Sequence, residues 1–230
     1  MPSLNSVLIH DDNKIQLKDL SRSVDLCYND TIYESTDFEW VGLAFDLLVP
    51  GGIFIVQTDW HTEHRYRVFL EDIIGANFVN HLCWKCEWGN YPKNKFHQVH
   101  DDILIYSKGK DYKFFPDKIQ VPKATVSKGL NPSGRMTKPA TSWIDDITLT
   151  TTAKERVKLE SGKNIRWQKP LRLYDRIISP FCEEGNTILD AFMGSGSLAR
   201  WCAINKMNYI GIESDEEVYR IAVENSQIVS

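Results

Sequence analysis

Ile188-Leu189-Asp190-Ala191-Phe192-Met193-Gly194-Ser195-Gly196 decides the fold: an apolar run fit for a buried strand passes straight into a Gly-Ser-Gly turn, and a helical stretch follows through Leu198–Ile204. A strand that turns this sharply into a helix needs small residues where the backbones approach, and it presents the first helical N–H groups to whatever sits above the turn. Twenty-three residues after Asp190, Tyr209-Ile210-Gly211-Ile212-Glu213 gives a second apolar strand ending in a carboxylate, the position that hydrogen-bonds a ribose in Rossmann-type folds. There is one glycine-to-glycine step only. The third glycine of the dinucleotide fingerprint and the Gly-Lys-Ser/Thr of a P-loop are both missing, which disfavours pyrophosphate and triphosphate binding. A cofactor with an adenosine and no phosphate remains.

The chain of 230 residues has room for one sizeable domain, or a core with a modest insertion. Its 42 % hydrophobic and 25 % charged residues are ordinary for a soluble globular protein. The most apolar stretch, Val41–Val56, is broken by Asp46, Pro50, Gly51 and Gly52, and the N-terminus has no basic-then-apolar leader, so no membrane association and an intracellular location are expected. The five cysteines are an odd, sparse set that fits a reducing compartment. Cys83 and Cys86 form a CxxC with His97 and His100 downstream, a loose likeness to a zinc site. Their strand-like surroundings favour buried thiols, and no metal is expected.

Net charge is −4, but it is unevenly divided. Residues 81–140 hold 11 Lys/Arg against 5 Asp/Glu, leaving 16 against 26 in the remainder. Such asymmetry fits either a nucleic-acid face on an acidic core or a solvated lysine-rich loop.

Apolar periodicity predicts strands at Val7–Ile9, Val24–Tyr28, Ile53–Val56, Phe78–Trp84 and Ile103–Tyr106. Helices are predicted through Ile15–Leu20, through Phe38, Val41, Phe45 and Leu48, and through Arg65–Ile74. Pro50-Gly51-Gly52 should stop the second of these and Gly75 the third. From Gly109 to Asn164 the pattern weakens and Lys, Thr, Ser and Pro accumulate, which marks an insertion with little core of its own. A helix at Leu171–Ile178, the strand Thr187–Asp190, a helix through Leu198–Ile204, the strand Tyr209–Glu213 and a closing helix from Glu216 follow. Alternating strands and helices predict an α/β, parallel, doubly wound sheet. The expected division is 1–108, an insertion over 109–164, and 165–230.

From Val7 to Asn225 the chain resembles the beta group of DNA amino-methyltransferases, which use S-adenosylmethionine. Asp190, Phe192, the Gly-Ser-Gly turn and Glu213 carry the likeness in the C-terminal half. Leu8-Ile9-His10-Asp11-Asp12, Val24-Asp25-Leu26, Leu48-Val49-Pro50-Gly51-Gly52, Asp102–Lys108 and Gln168-Lys169-Pro170-Leu171 carry it elsewhere, in order. The resemblance implies a circularly permuted Rossmann-like methyltransferase sheet with a target-recognition insertion. It implies cofactor contacts from Asp190, Phe192, Gly194, Ser195 and Gly196 at the methionine and ribose end and from Glu213 at the ribose hydroxyls. Asp12 is implied near the adenine amino group and Lys169 near the methionine carboxylate.

The family's catalytic motif, typically Asp-Pro-Pro-Tyr for adenine, is Asp30-Thr31-Ile32-Tyr33 here. By resemblance the Asp30 side chain and the Thr31 carbonyl take the two amino hydrogens of a flipped base, and Tyr33 stacks on it. An aspartate rather than a serine at the first position implies adenine N6 over cytosine N4. Proline would have supplied a fixed φ, so losing both weakens the rigidity of the loop and leaves a second reading open: a module of the same fold that binds cofactor or nucleic acid without turnover, as partner of an active subunit. Methylation of RNA, protein or a small molecule is a weaker third. Lys93, Lys95, Lys128, Arg135 and Lys138 are candidate phosphate contacts. Trp84, Trp88 and Tyr91 either stack on bases or pack, with packing preferred. DNA is the expected partner, and a homodimer or a heteromeric methyltransferase is compatible with the family.

Overall fold

The computed structural model describes residues 5–21, 23–86, 91–129, 134–149, 155–165 and 167–227. The chain begins with β1 (Ser6–His10), α1 (Asn13–Asp19), β2 (Val24–Asp30), α2 (Glu39–Asp46), β3 (Leu48–Thr58) and α3 (Glu63–Val68), the last running on through a wider-wound stretch to Ile74. Next come β4 (Asn77–Lys85), β5 (His100–Ser107), β6 (Gln120–Pro122), α4 (Ala124–Ser127), β7 (Thr137–Pro139) and β8 (Trp143–Ile144). α5 (Leu171–Ile177), β9 (Thr187–Asp190), α6 (Ser197–Ile204), β10 (Asn208–Glu213) and α7 (Glu216–Ser226) complete it.

Among the described residues, eight strands form one sheet in the order β1-β10-β9-β2-β3-β5-β4-β8. The strands from β1 across to β3 are parallel neighbours, as the alternation of elements predicts. The wholly parallel sheet does not hold at the other side, where β5 runs antiparallel to both β3 and β4. A parallel pair needs a crossover of a dozen or more residues, usually a helix, and among the described residues between β4 and β5 there is none, so the chain folds back as a hairpin.

Strand residues alternate between two cores. Leu26, Tyr28, Ile53, Ile55, Ile103, Ile105, Ile188 and Tyr209 pack toward Leu173, Tyr174, Ile177, Leu198 and Trp201 of α5 and α6. Cys27, Phe54, Val56, Leu104, Leu189 and Ile210 pack on the other face toward Leu17, Trp40, Val41, Phe45, Tyr66 and Leu70 of α1, α2, α3 and the stretch that continues it. Both faces of the sheet are covered, which is why its strands read as continuous apolar runs.

Pro50-Gly51-Gly52 lies inside β3 instead of ending α2, and Leu48 belongs to the strand. Gly51 adopts a φ of 77°, and a Cβ there would come within 2.4 Å of the Asp111 carbonyl. The pairing of β2 with β3 shifts register at this point, so the glycines make an irregularity in the strand. The stretch 109–164 is also less detached than its composition suggests. It donates β8 to the main sheet, and Ile144 and Ile147 join the core beside Trp84.

Gly196 caps α6 with a φ of 72°, and a Cβ on it would stand 2.7 Å from the Ala222 carbonyl of α7. Left-handed backbone and overpacking each cost about 1–3 kcal/mol. Gly196→Ala is therefore expected to lose roughly 2–4 kcal/mol by denaturant unfolding. Gly194→Ala, whose Cβ meets the Trp167 ring at 3.4 Å, is expected to lose about half as much or less.

Candidate active site

Parallel strands bring their C-terminal ends to one edge, and here the strand order diverges between β9 and β2. Ligands bind at such a point because the loops part there and leave a crevice. Asp190 ends β9 and Asp30 ends β2, so the Gly-Ser-Gly turn and the Asp30–Tyr33 loop are neighbours although about 160 residues separate them.

On the β9 side, Asp190 is buried and accepts from the Phe192 N–H at 3.1 Å and the Tyr209 hydroxyl at 3.0 Å. Tyr209 reaches it by lying over Gly211, where a Cβ would be 2.6 Å from its hydroxyl oxygen. Burial pushes the Asp190 carboxyl up to about 7 against those two hydrogen bonds. Glu213 ends β10 and accepts from the Gly194 N–H at 2.9 Å with one oxygen and from the Asp215 N–H at 3.0 Å with the other. Phe192 packs edge-to-face on Trp40 with ring centroids 4.9 Å apart. Ser195 is buried, its hydroxyl 3.0 Å from that of Ser197 and its carbonyl held by Asn225. Asp12 is exposed and caps α1, accepting from the Lys14 and Ile15 N–H groups. It reaches the same edge because the neighbouring Asp11 N–H donates to the Glu213 carbonyl.

On the β2 side, Lys169 is buried and its ammonium donates to Asp30 Oδ2. Burial holds the Asp30 carboxyl above its ordinary value, and the Lys169 ammonium offsets only part of that rise. Burial lowers the Lys169 ammonium, but Asp30 and Asp101 outweigh it and hold the group above its ordinary value. Asp30 Oδ1 is buried and has no hydrogen-bond partner among the described residues.

Thr31 donates to the Gln57 carbonyl from its N–H at 3.0 Å and from its hydroxyl at 3.2 Å. Proline could make neither bond, so this loop is fixed by hydrogen bonds to β3 where a proline loop is fixed by its rings. Ile32 is exposed. The Tyr33 hydroxyl donates to Asp101 at 2.8 Å, Asp101 also accepts from Gln57 Nε2 at 2.8 Å, and Gln57 accepts from Tyr28 at 2.7 Å.

The sequence reading missed Asp101 and Gln57, which anchor Tyr33, and Trp167, whose ring lies against Gly194. Asp101 stands one residue before a stretch quoted for the family likeness and Trp167 one residue before another, the only signal available. Lys93 and Lys95 lie in the connection that leaves β4 and enters β5 at this edge, and Lys95 sits 5.6 Å over the Trp60 ring. Arg135 and Lys138 stand before and in β7, and Lys128 follows α4. This hairpin is rooted through Ile119 and Ala140 in a groove with Asn80, Ile177 and Phe181, toward the opposite end of the sheet from Asp30. Trp84 is buried, Tyr91 is exposed, and Trp88 lies outside the described residues.

The order of strands, the glycine turn and the acidic strand ends define a methyltransferase-type α/β fold. A sequence-family model for DNA methylases matches residues 15–224, and the chain belongs to that family. It is 29 % identical over 194 residues to the type II methyltransferase M.HpaI of Haemophilus parainfluenzae, covering 84 % of this chain and 59 % of that enzyme. The crystal structure of the M1.HpyAVI–SAM complex superposes with a TM-score of 0.69 at 21 % identity, covering 96 % of this chain and 99 % of that one. The PvuII cytosine-N4-specific DNA methyltransferase gives 0.74 at 13 % identity, covering 98 % and 88 %. No described helix is long and apolar enough to cross a membrane.

Lys169→Met would leave Asp30 a buried charge without a counterion. A loss of about 3–5 kcal/mol is expected by denaturant unfolding, and Asp30→Asn added to it should recover much of the loss. Asp190 gives a second expectation. Its folded value of about 7 lies above the unfolded one, so the native state binds more protons between the two and this group's contribution falls as pH rises through that window. The melting temperature of Asp190→Asn should therefore gain on that of the native chain between about pH 5 and about pH 8. A difference that stays flat with pH would contradict it.

Proposed function

We propose that this chain is a DNA methyltransferase that methylates the N6 amino group of adenine with S-adenosylmethionine, on a base turned out of the stack. The observation that carries this reading is Asp30 Oδ1, a buried acceptor with no partner among the described residues, on a carboxylate whose other oxygen is committed to Lys169. Leaving such an acceptor unsatisfied costs roughly 1–3 kcal/mol, and an exocyclic amine entering the site would satisfy it.

The residues at the β9 edge fit the cofactor. The Gly-Ser-Gly turn lies against Glu213 through the Gly194 N–H, and each Glu213 oxygen keeps a lone pair free for a ribose hydroxyl. When bound, S-adenosylmethionine supplies an electrophilic methyl group. Asp190, Phe192 and Ser195 shape the turn that holds it, and Asp12 and Lys169 flank it from β1 and the start of α5.

An exocyclic amine is a poor nucleophile because its lone pair is delocalised into the ring. Asp30 Oδ1 would accept one amino hydrogen and the Thr31 carbonyl the other, which localises the pair on nitrogen. The Lys169 ammonium on the other oxygen favours the ionised, acceptor form of Asp30 against the burial that raises it. Tyr33, tied to Asp101, would pack against the base. The two bonds from Thr31 to Gln57 supply the positioning that the missing prolines would have given, and this favours an active loop over a binding-only module. Aspartate at the first position of the motif supports adenine over cytosine. Lys93 and Lys95 are proposed to meet phosphates beside the site, with Lys128, Arg135 and Lys138 available to a longer duplex.

Transfer of labelled methyl from S-adenosylmethionine to mixed-sequence duplex DNA, followed by nucleoside analysis, tests the reading. Label is expected in N6-methyladenine, with Asp30→Ala reduced on the order of a hundredfold or more and calorimetric cofactor binding retained. Label in N4-methylcytosine would overturn the base assignment. Cofactor binding without transfer would overturn the activity.

A further inference from the structure

The CxxC of Cys83 and Cys86 does not act as a unit. Cys86 is buried with Trp84 in the core beneath α5, its thiol 3.5 Å from Asp101. Cys83 is the direct cross-strand partner of Asp102, and His81 and His100 stand two residues away on β4 and β5. Residues two apart on a strand share a face, so His81, Cys83, His100 and Asp102 project from one face of the hairpin, the one that carries Leu104 toward α3.

We propose that His81 Nε2, Cys83 Sγ and a carboxylate oxygen of Asp102, completed by His100 Nε2, form a binding site for a divalent cation of the zinc class. The ligand atoms of His81, Cys83 and Asp102 already lie within 4.8 Å of one another. Asp102 Oδ1 is 2.8 Å from His81 Nε2, 3.9 Å from Cys83 Sγ and 3.9 Å from His100 Nε2. With metal–ligand bonds of about 2.0–2.3 Å, a tetrahedral site has edges of about 3.3–3.5 Å, so each of these distances needs to change by only about half an ångström. One thiolate, two imidazoles and one carboxylate suit zinc, and their mixture of soft and hard atoms excludes magnesium or calcium as the preferred ion.

All four groups are carried by the ladder of β4 and β5, so the site is largely preformed. Asp102 is buried, while His81 and His100 are partly open to solvent, which gives an ion a way in. Glu63 and Arg67 of α3 face the cluster, and Lys85 stands opposite His100, so the surrounding charge is mixed. Binding requires Cys83 to lose its thiol proton to solvent and His81 to present a neutral Nε2. The ion would clamp β4 to β5 where the connection bearing Lys93 and Lys95 departs. The site lies on the opposite face of the sheet from Asp30, Lys169 and Asp101, and its occupancy does not rest on the methyltransferase reading.

The metal-stripped full chain, kept reduced with a non-thiol reductant, should be titrated with Co²⁺. About one equivalent is expected to bind, with a thiolate-to-cobalt charge-transfer band and the intense visible bands of a four-coordinate ion. Zn²⁺ should displace it, and the melting temperature should rise with Zn²⁺ concentration. Cys83→Ser should abolish the charge-transfer band and weaken binding at least about tenfold, whereas Cys86→Ser should change neither. Melting of the metal-free variants checks that both fold. Absence of the band in the native chain, its loss in Cys86→Ser, or its survival in Cys83→Ser would overturn the proposal.

Discussion

The pairing of β2 with β9, Leu26 beside Ile188 and Cys27 beside Leu189, is the contact on which the rest of the molecule depends. It joins the N-terminal strands to the C-terminal ones at the centre of the sheet. Everything to one side follows from β2 and β3, and everything to the other from β9, β10 and β1. Because the strands there are parallel, their last residues meet at the same edge. Without this pairing Asp30 and Asp190 would belong to unrelated loops.

The price of gathering acidic groups at one buried edge is electrostatic, and the structure meets it in three ways. Asp30 is neutralised by the ammonium of Lys169. Asp190 is given two hydrogen bonds and a carboxyl value near 7, so it holds a proton more readily than an exposed aspartate. Asp101 is satisfied by hydroxyl, amide and thiol donors. The three solutions differ because their neighbours differ: a lysine arrives only at the start of α5, and Tyr209 crosses to Asp190 only because position 211 has no side chain. A buried pair such as Asp30–Lys169 contributes little net stability, yet breaking it is costly, so it fixes position more than it adds energy.

The Asp30–Tyr33 loop shows how a local rule can be replaced. Two prolines restrict a backbone through covalent geometry; Thr31 restricts it through two bonds to a neighbouring strand, and Tyr33 through Asp101. From the sequence the substitution reads as a loss, because the compensating partners come from β3 and β5, twenty-six to sixty-eight residues away.

Strand and helix positions were legible wherever apolar periodicity was strong: Thr187–Asp190 coincides with its predicted bounds, and most others lie within a few residues. Short-range physics governs these, since the period of burial and the residues at turns are written locally. The glycine turn and the acidic strand ends were legible for the same reason. The antiparallel entry of β5, the place of Pro50-Gly51-Gly52 inside β3, the burial of Ile144 and Ile147, and the gathering of His81, Cys83, His100 and Asp102 were not. The sequence by itself determined that the chain alternates apolar strands with amphipathic helices and carries a strand–glycine–helix turn. Only the tertiary structure decided which strands pair and in which direction, and hence that Lys169 faces Asp30 and that Cys83 stands opposite Asp102, because those contacts depend on register between segments the chain itself holds apart.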